Sequence, residues 1–211
     1  MPVEWMLKAS ERLRSFVEFV GRWGSVFILP LVFITMWDVV LRKVGGMQVW
    51  LVEHFGRSFE STVIQELEWH FHTALFTLVL GYGLVRNRHV RVDLVREKLA
   101  FRKQAWIEFL GVTFFMIPYC LIVGYFAAIF AWDSYLVLEK SASTVGLSYR
   151  FIIKTVLVFG MFVALLSGIA VWLQTVLVLF GPRELRFRLM TLEWPEDQAA
   201  RGGRLRPSGG T

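Results

Sequence analysis

The sequence predicts an all-α membrane protein with four transmembrane helices, short interfacial amphipathic helices and both termini in the cytoplasm. Three observations support this prediction. Hydrophobic residues make up 55% of the 211 residues and charged residues only 19%, whereas a soluble domain has about 25% charged residues. The apolar residues are gathered in long blocks. Finally, lysine and arginine are concentrated in alternate connections between those blocks.

Four segments are long and apolar enough to cross a bilayer, which takes about 20 mostly apolar residues. The predicted spans are about 24–42, 67–85, 105–135 and 151–180. Together they define a transmembrane domain over 24–180. We expect Pro30 to bend the first span, because proline cannot complete the helical hydrogen bonding. The third span is longer than a bilayer requires, so it is expected to tilt, to kink at Pro118 or to protrude from the membrane. Segment 1–23 is predicted to be a cytoplasmic tail or helix, and 181–211 a cytoplasmic tail whose last part is disordered.

The distribution of basic residues predicts the orientation. Of the 23 lysines and arginines, 17 lie before the first span, between the second and third spans, or after the fourth. The remaining 6 lie on the opposite side. Because cytoplasmic connections carry the excess of lysine and arginine, both termini are predicted to lie inside the cell.

Two connections carry apolar stripes at helical spacing, which predicts short amphipathic helices on the membrane surface. The stripes are Leu51, Phe55 and Phe59 within 48–60, and Val92, Val95 and Leu99 in the second connection. The cations around the second stripe should bind anionic headgroups. Membrane lipids are therefore expected partners. A nucleic-acid partner is not expected, because no basic helix or aromatic platform lies outside the apolar blocks.

The histidines favour a structural role over a metal or haem site. His70 and His72 are two residues apart, so a helix turns them roughly 200° from one another. His89 lies at the other end of the same span. The spacing instead predicts helical i, i+4 pairs of Glu66 with His70 and of Glu68 with His72. A membrane anchor of a redox enzyme remains the alternative, and a haem absorbance band would reveal it.

The remaining polar residues do not predict an enzyme or a cofactor site. Asp38 precedes Arg42 by one helical turn, so an ion pair explains its place in the first span. Cys120 has no basic neighbour in sequence and is interpreted as a packing residue. No span is interrupted by the unwound glycine- or proline-containing segment that forms midplane transport sites. The chain is therefore predicted to be an accessory subunit, with a self-contained small channel or exporter as a further alternative.

Two stretches of the sequence contain distinctive motifs in a distinctive order. Residues 65–99 read QELEWHFHTALFTLVLGYGLVRNRHVRVDLVREKL and include the series His89-Val90-Arg91-Val92-Asp93, while 140–154 read KSASTVGLSYRFIIK. In these motifs the chain resembles the small membrane subunit of TRAP (tripartite ATP-independent periplasmic) transporters, the DctQ type. The resemblance covers roughly 24–180. The QELEWH and GLSYR motifs are most similar to the branch of this family that is often labelled mannitol or chloroaromatic.

The resemblance implies a noncatalytic subunit of a sodium-coupled uptake system for small organic acids in the bacterial inner membrane. A large permease subunit would hold the substrate and sodium sites, and a periplasmic solute-binding protein would deliver the substrate. The small subunit would enlarge the static scaffold of the permease, while the substrate-carrying part moves as an elevator. No cofactor is expected on this chain.

The same resemblance assigns roles to ten residues, which form an outer, an inner and an anchoring set. The outer set, near the dock of the binding protein, is Glu66, Trp69 and His70; the inner set, at the end of the second span, is Arg88, His89, Arg91 and Asp93; the third set is Tyr149, Arg150 and Lys154. The inner set would cap the span and start the interfacial helix, either as an anchor of the loop alone or also as a contact to a partner. The third set would anchor the chain at the outer interface or contact partners.

Overall fold

The computed structural model describes residues 2–88, 99–182 and 186–196. Within these ranges the chain is all-helical apart from its connections, which confirms the all-α part of the predicted fold. The helices are α1 Pro2–Ser25, α2 Ile28–Lys43, α3 Met47–Phe55, α4 Ser61–Val85, α5 Phe101–Gly111, α6 Ile117–Leu136 and α7 Phe151–Phe180. A 3₁₀ turn follows α3, and a π-helical turn joins α5 to α6.

Three described segments are long and apolar enough to cross a membrane: Val3–Lys43, Phe101–Leu136 and Phe151–Phe180. The last of these, α7, is the most buried of the three and forms the centre of the bundle. Helix α4 contains the apolar block predicted as the second span, and it packs directly along α7.

The first apolar segment consists of two helices because of Pro30. Proline has no N–H, so Pro30 cannot donate to the carbonyl of Val26 one turn earlier, and its ring crowds that carbonyl. The amide of Leu29 donates to Val26 O instead, at 3.1 Å, which makes the turn tighter than an α-helix. As a result α1 ends at Ser25 and α2 begins at Ile28.

Pro118 has a different effect. The chain forms a π-helical turn over Val112–Met116, directly before the proline. Such turns open the backbone spacing where a regular hydrogen bond cannot form. The Thr113 hydroxyl in this turn donates to Phe109 O at 2.7 Å and accepts from Trp172 Nε1 of α7 at 3.1 Å. The hydrogen bond between Thr113 and Trp172 therefore joins this π-helical turn to the central helix, α7.

Glycines let the central helices approach closely, as small residues do in membrane bundles. A Cβ atom placed on Gly160 of α7 would lie 2.5 Å from the Cβ of Thr77 in α4. A Cβ on Gly21 of α1 would lie 2.2 Å from that of Tyr82 in α4. Segment 1–23, predicted as a tail or helix, is thus largely within a helix that packs closely against α4 and α7.

The first outer connection differs from the single amphipathic helix predicted over 48–60. Helix α3 ends at Phe55, and Gly56 has a φ of +93°, a left-handed conformation that glycine adopts at little cost. A 3₁₀ turn, Arg57–Phe59, leads from there into α4. The apolar stripe is therefore divided between two elements. The second predicted stripe falls mostly within 89–98, outside the described residues.

Part of the C-terminal segment packs back onto the bundle. The buried side chain of Gln174 in α7 donates to Arg188 O at 3.1 Å and accepts from the Met190 amide at 2.9 Å. Leu192 packs against Ala105 and Leu179. The stretch 186–196 is thus held across the C-terminal end of α7. The predicted disordered end of the tail lies outside the described residues.

Candidate functional site

Several charged and aromatic side chains gather where α4 and α7 begin. Here the connection between α6 and α7 folds over the two helix ends, and its backbone pairs Lys140 with Ser148 in an antiparallel bridge. We call the five residues Glu66, Trp69, Glu139, Arg150 and Lys154 the α4–α7 cluster. Four of them belong to the site predicted from sequence, namely Glu66, Trp69, Arg150 and Lys154. Glu139 was not predicted.

Glu66 ties the connection to α4. Its carboxylate accepts hydrogen bonds from the Ser141 hydroxyl, from the Leu147 amide at 2.5 Å and from Arg150 Nη2 at 2.8 Å. The residue is 6% exposed, so these bonds replace the water that a carboxylate would otherwise bind. Gly146 is part of this fit, because a Cβ there would lie 2.7 Å from Glu66 Oε1.

The contacts of Glu66 correct one prediction. The spacing predicted that the Glu66 side chain would pair with His70, but the carboxylate faces the connection instead. His70 bonds through Nδ1 to the backbone oxygen of Glu66 at 2.5 Å, and its ring lies 4.0 Å from that of Trp69, measured between centroids. The prediction failed because a distant arginine, Arg150, offers a stronger charge-assisted partner than the histidine one turn away.

Arg150 connects the charged part of the cluster to its aromatic part. Its guanidinium carbon lies 5.5 Å from the centroid of the Trp69 ring, within the range of a cation–π contact. Lys154, one turn further along, binds the carboxylate of Glu139 and lies 3.5 Å above the centroid of the Phe130 ring in α6. The hydrogen bond from Lys154 lowers the pKa of the Glu139 carboxyl below its ordinary value of 4.5.

A cleft of about 290 Å³ opens beside the cluster. It lies between α4, α6 and α7, and its walls combine aromatic rings, cations and one carboxylate. The lining residues are Trp69, Thr73, Phe130, Glu139, Arg150, Ile153, Lys154 and Leu157. Sequence reasoning missed Phe130 and Glu139, because their partner Lys154 is brought to them by the fold and not by helical spacing.

Tyr149 lies at the edge of the cluster. It has a φ of +64°, which is uncommon for a residue with a side chain, and its side chain is exposed. Its ring makes an edge-to-face contact with Phe151, with 6.2 Å between the centroids. On α2, Asp38 forms the predicted ion pair with Arg42 and also accepts from Ser61 at the start of α4.

A second polar cluster holds the opposite end of α4. Glu18 of α1 binds Arg14 and Arg86, each with 2.9 Å between the charged atoms, and Arg22 at 3.3 Å. Arg86 thereby joins the end of α4 to α1. Sequence reasoning missed this role of Arg86, because Arg86 is the first of a run of basic residues. Such a run suggests contact with lipid headgroups and does not indicate a partner within the chain.

The structure describes one residue of the predicted inner set, Arg88. Its amide donates to Gly83 O at 2.9 Å, next to Asn87, which has a φ of +53°. This is the bonding of a Schellman helix end, so the backbone of Arg88 caps α4. His89, Arg91 and Asp93 lie outside the described residues.

The two clusters hold helices together. The Arg150 and Lys154 cations are each matched by a carboxylate of another element, and the same is true of Arg86. Across the described ranges, no group of three or more histidine, cysteine or acidic residues is placed to hold a metal ion. The buried thiol of Cys120 packs against Met161 and Ala164.

Comparison with known families identifies the class of the protein. The family model described as "Tripartite ATP-independent periplasmic transporters, DctQ component" matches residues 31–177, which is more than half of the chain. No curated protein and no solved structure matches. The chain therefore belongs to the DctQ family. It is a small membrane subunit of a TRAP transporter, a transporter component of the bacterial inner membrane.

Proposed function

We propose that this chain is the noncatalytic small subunit of a sodium-coupled TRAP transporter for small organic acids, and that it works as a rigid scaffold for the large permease subunit. The observation that carries the proposal is that carboxylates of this chain form ion pairs with cations of other elements. Glu66, Glu139 and Glu18 bind cations of other helices or connections. Such contacts fix helices relative to one another, which is what a scaffold requires.

The packing directions support four spans. α4 runs parallel to α7, since Glu66 contacts Arg150 near their starts and Thr77 faces Gly160 further along. α1 runs antiparallel to α4, since Glu18 meets Arg86 while Gly24 faces Leu78. α6 runs antiparallel to α7, since Phe130 lies by Lys154 and Cys120 by Met161. This alternation is what four successive membrane crossings produce.

The distribution of lysine and arginine supports cytoplasmic termini. Of the 23 lysines and arginines, 17 lie in the terminal segments or in the connection between the second and third predicted spans. An excess of lysine and arginine on one side is what directs the orientation of membrane proteins.

The outward faces of α2 and α6 are apolar and suit lipid or the large subunit. The exposed large side chains include Phe33 and Met36 on α2, and Tyr125, Phe126 and Trp132 on α6. In the proposed assembly the small subunit widens the fixed wall against which the substrate-carrying part of the permease moves. The substrate and sodium sites belong to the large subunit, and the mannitol or chloroaromatic label points to the substrates to try first.

The α4–α7 cluster lies at the proposed outer face, where a periplasmic binding protein would dock. Glu66 shapes this face through the connection that it supports, and His70 lies beside Trp69 on the same helix. Trp69 and Tyr149 expose aromatic surface there. We propose that Arg150 and Lys154 act first as internal anchors of this face, because both are engaged with carboxylates of the chain. At the inner face, Arg88, His89, Arg91 and Asp93 are proposed to contact the large subunit.

Reconstitution tests the proposal. The chain, the large permease subunit of the same system and both together are placed in liposomes with a sodium gradient. Uptake of mannitol, succinate and chlorobenzoate is measured with the binding protein present. Uptake should require both membrane subunits, which should also co-purify in mild detergent. Replacing Arg91 and Asp93 together by alanine should weaken co-purification. Uptake by this chain alone, or full uptake by the permease alone, would contradict the proposal.

A further inference from the structure

The cleft beside the α4–α7 cluster has the size of a headgroup. Its volume is about 290 Å³, just below the roughly 300–1,000 Å³ typical of sites for drug-sized ligands. Three helices and the connection before α7 contribute to its walls, so it is a feature of the folded bundle and not a groove along one helix. A ligand bound here would be small and polar, or the polar end of a larger molecule.

Aromatic residues around the cleft mark the level of the membrane interface. Trp132, Tyr135 and Tyr149 are exposed near the start of α7, and their rings form a chain of contacts through Phe151. Tryptophan and tyrosine are enriched at the depth of the lipid headgroups. The cleft therefore lies where headgroups are the most abundant polar molecules.

The charges in the cleft have both signs. Arg150 and Lys154 supply N–H donors, and Glu139 supplies a carboxylate. Arg150 is also bound to Glu66 behind the cleft, so the four charged groups together are neutral. Such a site complements a zwitterion, which brings one charge of each sign, better than it complements an anion.

An apolar path leads from the cleft along α6. Phe130, at the cleft, is followed by Phe126 and Ile122 at intervals of one helical turn, and all three side chains are exposed. Residues four apart lie on the same face of a helix. These side chains form a continuous stripe directed from the interface toward the middle of the apolar segment, along which an acyl chain can lie.

From these observations we propose that the cleft binds the headgroup of a zwitterionic phospholipid that carries a primary ammonium group. Its phosphodiester accepts hydrogen bonds from Lys154 and Arg150. Its ammonium lies toward Glu139, and an acyl chain follows the α6 stripe. The bound lipid fills the cleft between α4, α6 and α7. This inference goes beyond the transport role and holds whichever way the chain faces.

Native mass spectrometry of the full chain, released from detergent, tests the proposal. The probes are phosphatidylethanolamine and phosphatidylglycerol with the same acyl chains, each added at the same concentration. The chain should retain one phosphatidylethanolamine in preference to phosphatidylglycerol. The double variant Glu139→Gln/Lys154→Met removes one charge of each sign. It should retain at least about tenfold less lipid than the native chain, because charge-assisted hydrogen bonds to the headgroup are lost. Lys140→Gln, an exposed neighbouring cation, should retain as much as the native chain.

Two further arms keep the test decisive. Phe130→Leu leaves both ion pairs in place and should weaken retention severalfold, because the aromatic ring that lines the cleft at the start of the α6 stripe is lost. This variant serves if the double variant does not fold, which circular dichroism checks. Inorganic phosphate at the lipid concentration should not displace the lipid. Equal retention of both lipids, undiminished retention by Phe130→Leu or the folded double variant, or displacement by phosphate would each overturn the proposal.

Discussion

Replacing Glu66 by alanine is predicted to destabilise the subunit strongly. The change leaves Arg150 without its carboxylate partner, and breaking a buried pair in this way costs about 3–5 kcal/mol. The Arg150 side chain is 24% exposed, so we take the lower end, about 3 kcal/mol. The half-buried amide of Leu147 loses its acceptor as well, which adds about 1 kcal/mol. The expected loss in the free energy of unfolding is about 4 kcal/mol.

A double-mutant cycle separates the ion pair from the other bonds of Glu66. The single variants Glu66→Gln and Arg150→Met, and the two combined, are unfolded reversibly in mixed detergent micelles and followed by circular dichroism. Because the two side chains contact each other, their effects should be non-additive by about 1–3 kcal/mol. The exposed residue Glu53 provides a control, and Glu53→Gln should change stability by less than about 0.5 kcal/mol. Additive effects, or a Glu66→Ala variant as stable as the control, would refute the reasoning.

Three further predictions concern other parts of the bundle. Gly160→Ala should cost about 1–3 kcal/mol in thermal unfolding, because the new Cβ would lie 2.5 Å from that of Thr77. Gln174→Leu should speed tryptic cleavage within 186–196 by about tenfold, since the hydrogen bonds that hold this segment are lost. The folded-state pKa of the Glu139 carboxyl is lowered, so its bond to Lys154 stabilises the folded chain above the ordinary glutamate pKa. This contribution is lost as the pH falls through the lowered pKa. Glu139→Gln should therefore reduce the loss of stability on acidification.

Each of these has a matched control. Gly83→Ala on α4 should be tolerated, because a Cβ there meets nothing within 4 Å. Gln65→Leu changes an exposed glutamine and should leave the cleavage rate unchanged. Glu53→Gln should leave the acid dependence as it is in the native chain. If the variant and its control behave alike in any of the three experiments, the corresponding contact does not have the assigned role.

The sequence was informative where contacts follow from local spacing. The α7 helix coincides with one apolar block, and the ion pair of Asp38 with Arg42 is separated by one helical turn. The effects of Pro30 and Pro118 also follow from local chemistry, since each removes a backbone donor at a known position. Local rules of this kind need no knowledge of the tertiary fold.

Contacts between distant elements could not be derived in this way. Glu66 and Arg150 are 84 residues apart, and Glu18 and Arg86 are 68 residues apart. Helical spacing assigned Glu66 to His70 because it considers one helix at a time. The resemblance in 140–154 drew attention to Arg150, but its partner depends on α4 and α7 running parallel, which no local pattern encodes.

The central claim, that this subunit is a rigid scaffold, is tested most directly by linking its own helices. Gly124 of α6 and Met161 of α7 face each other, with 3.9 Å between the Met161 Cβ and a Cβ built on Gly124, within the range that a disulfide spans. Gly124→Cys/Met161→Cys, made with Cys120→Ala, is reconstituted with the large permease and the binding protein. Uptake should be the same after oxidation as after reduction. If oxidation stops uptake and reduction restores it, these helices move during transport and the account is contradicted.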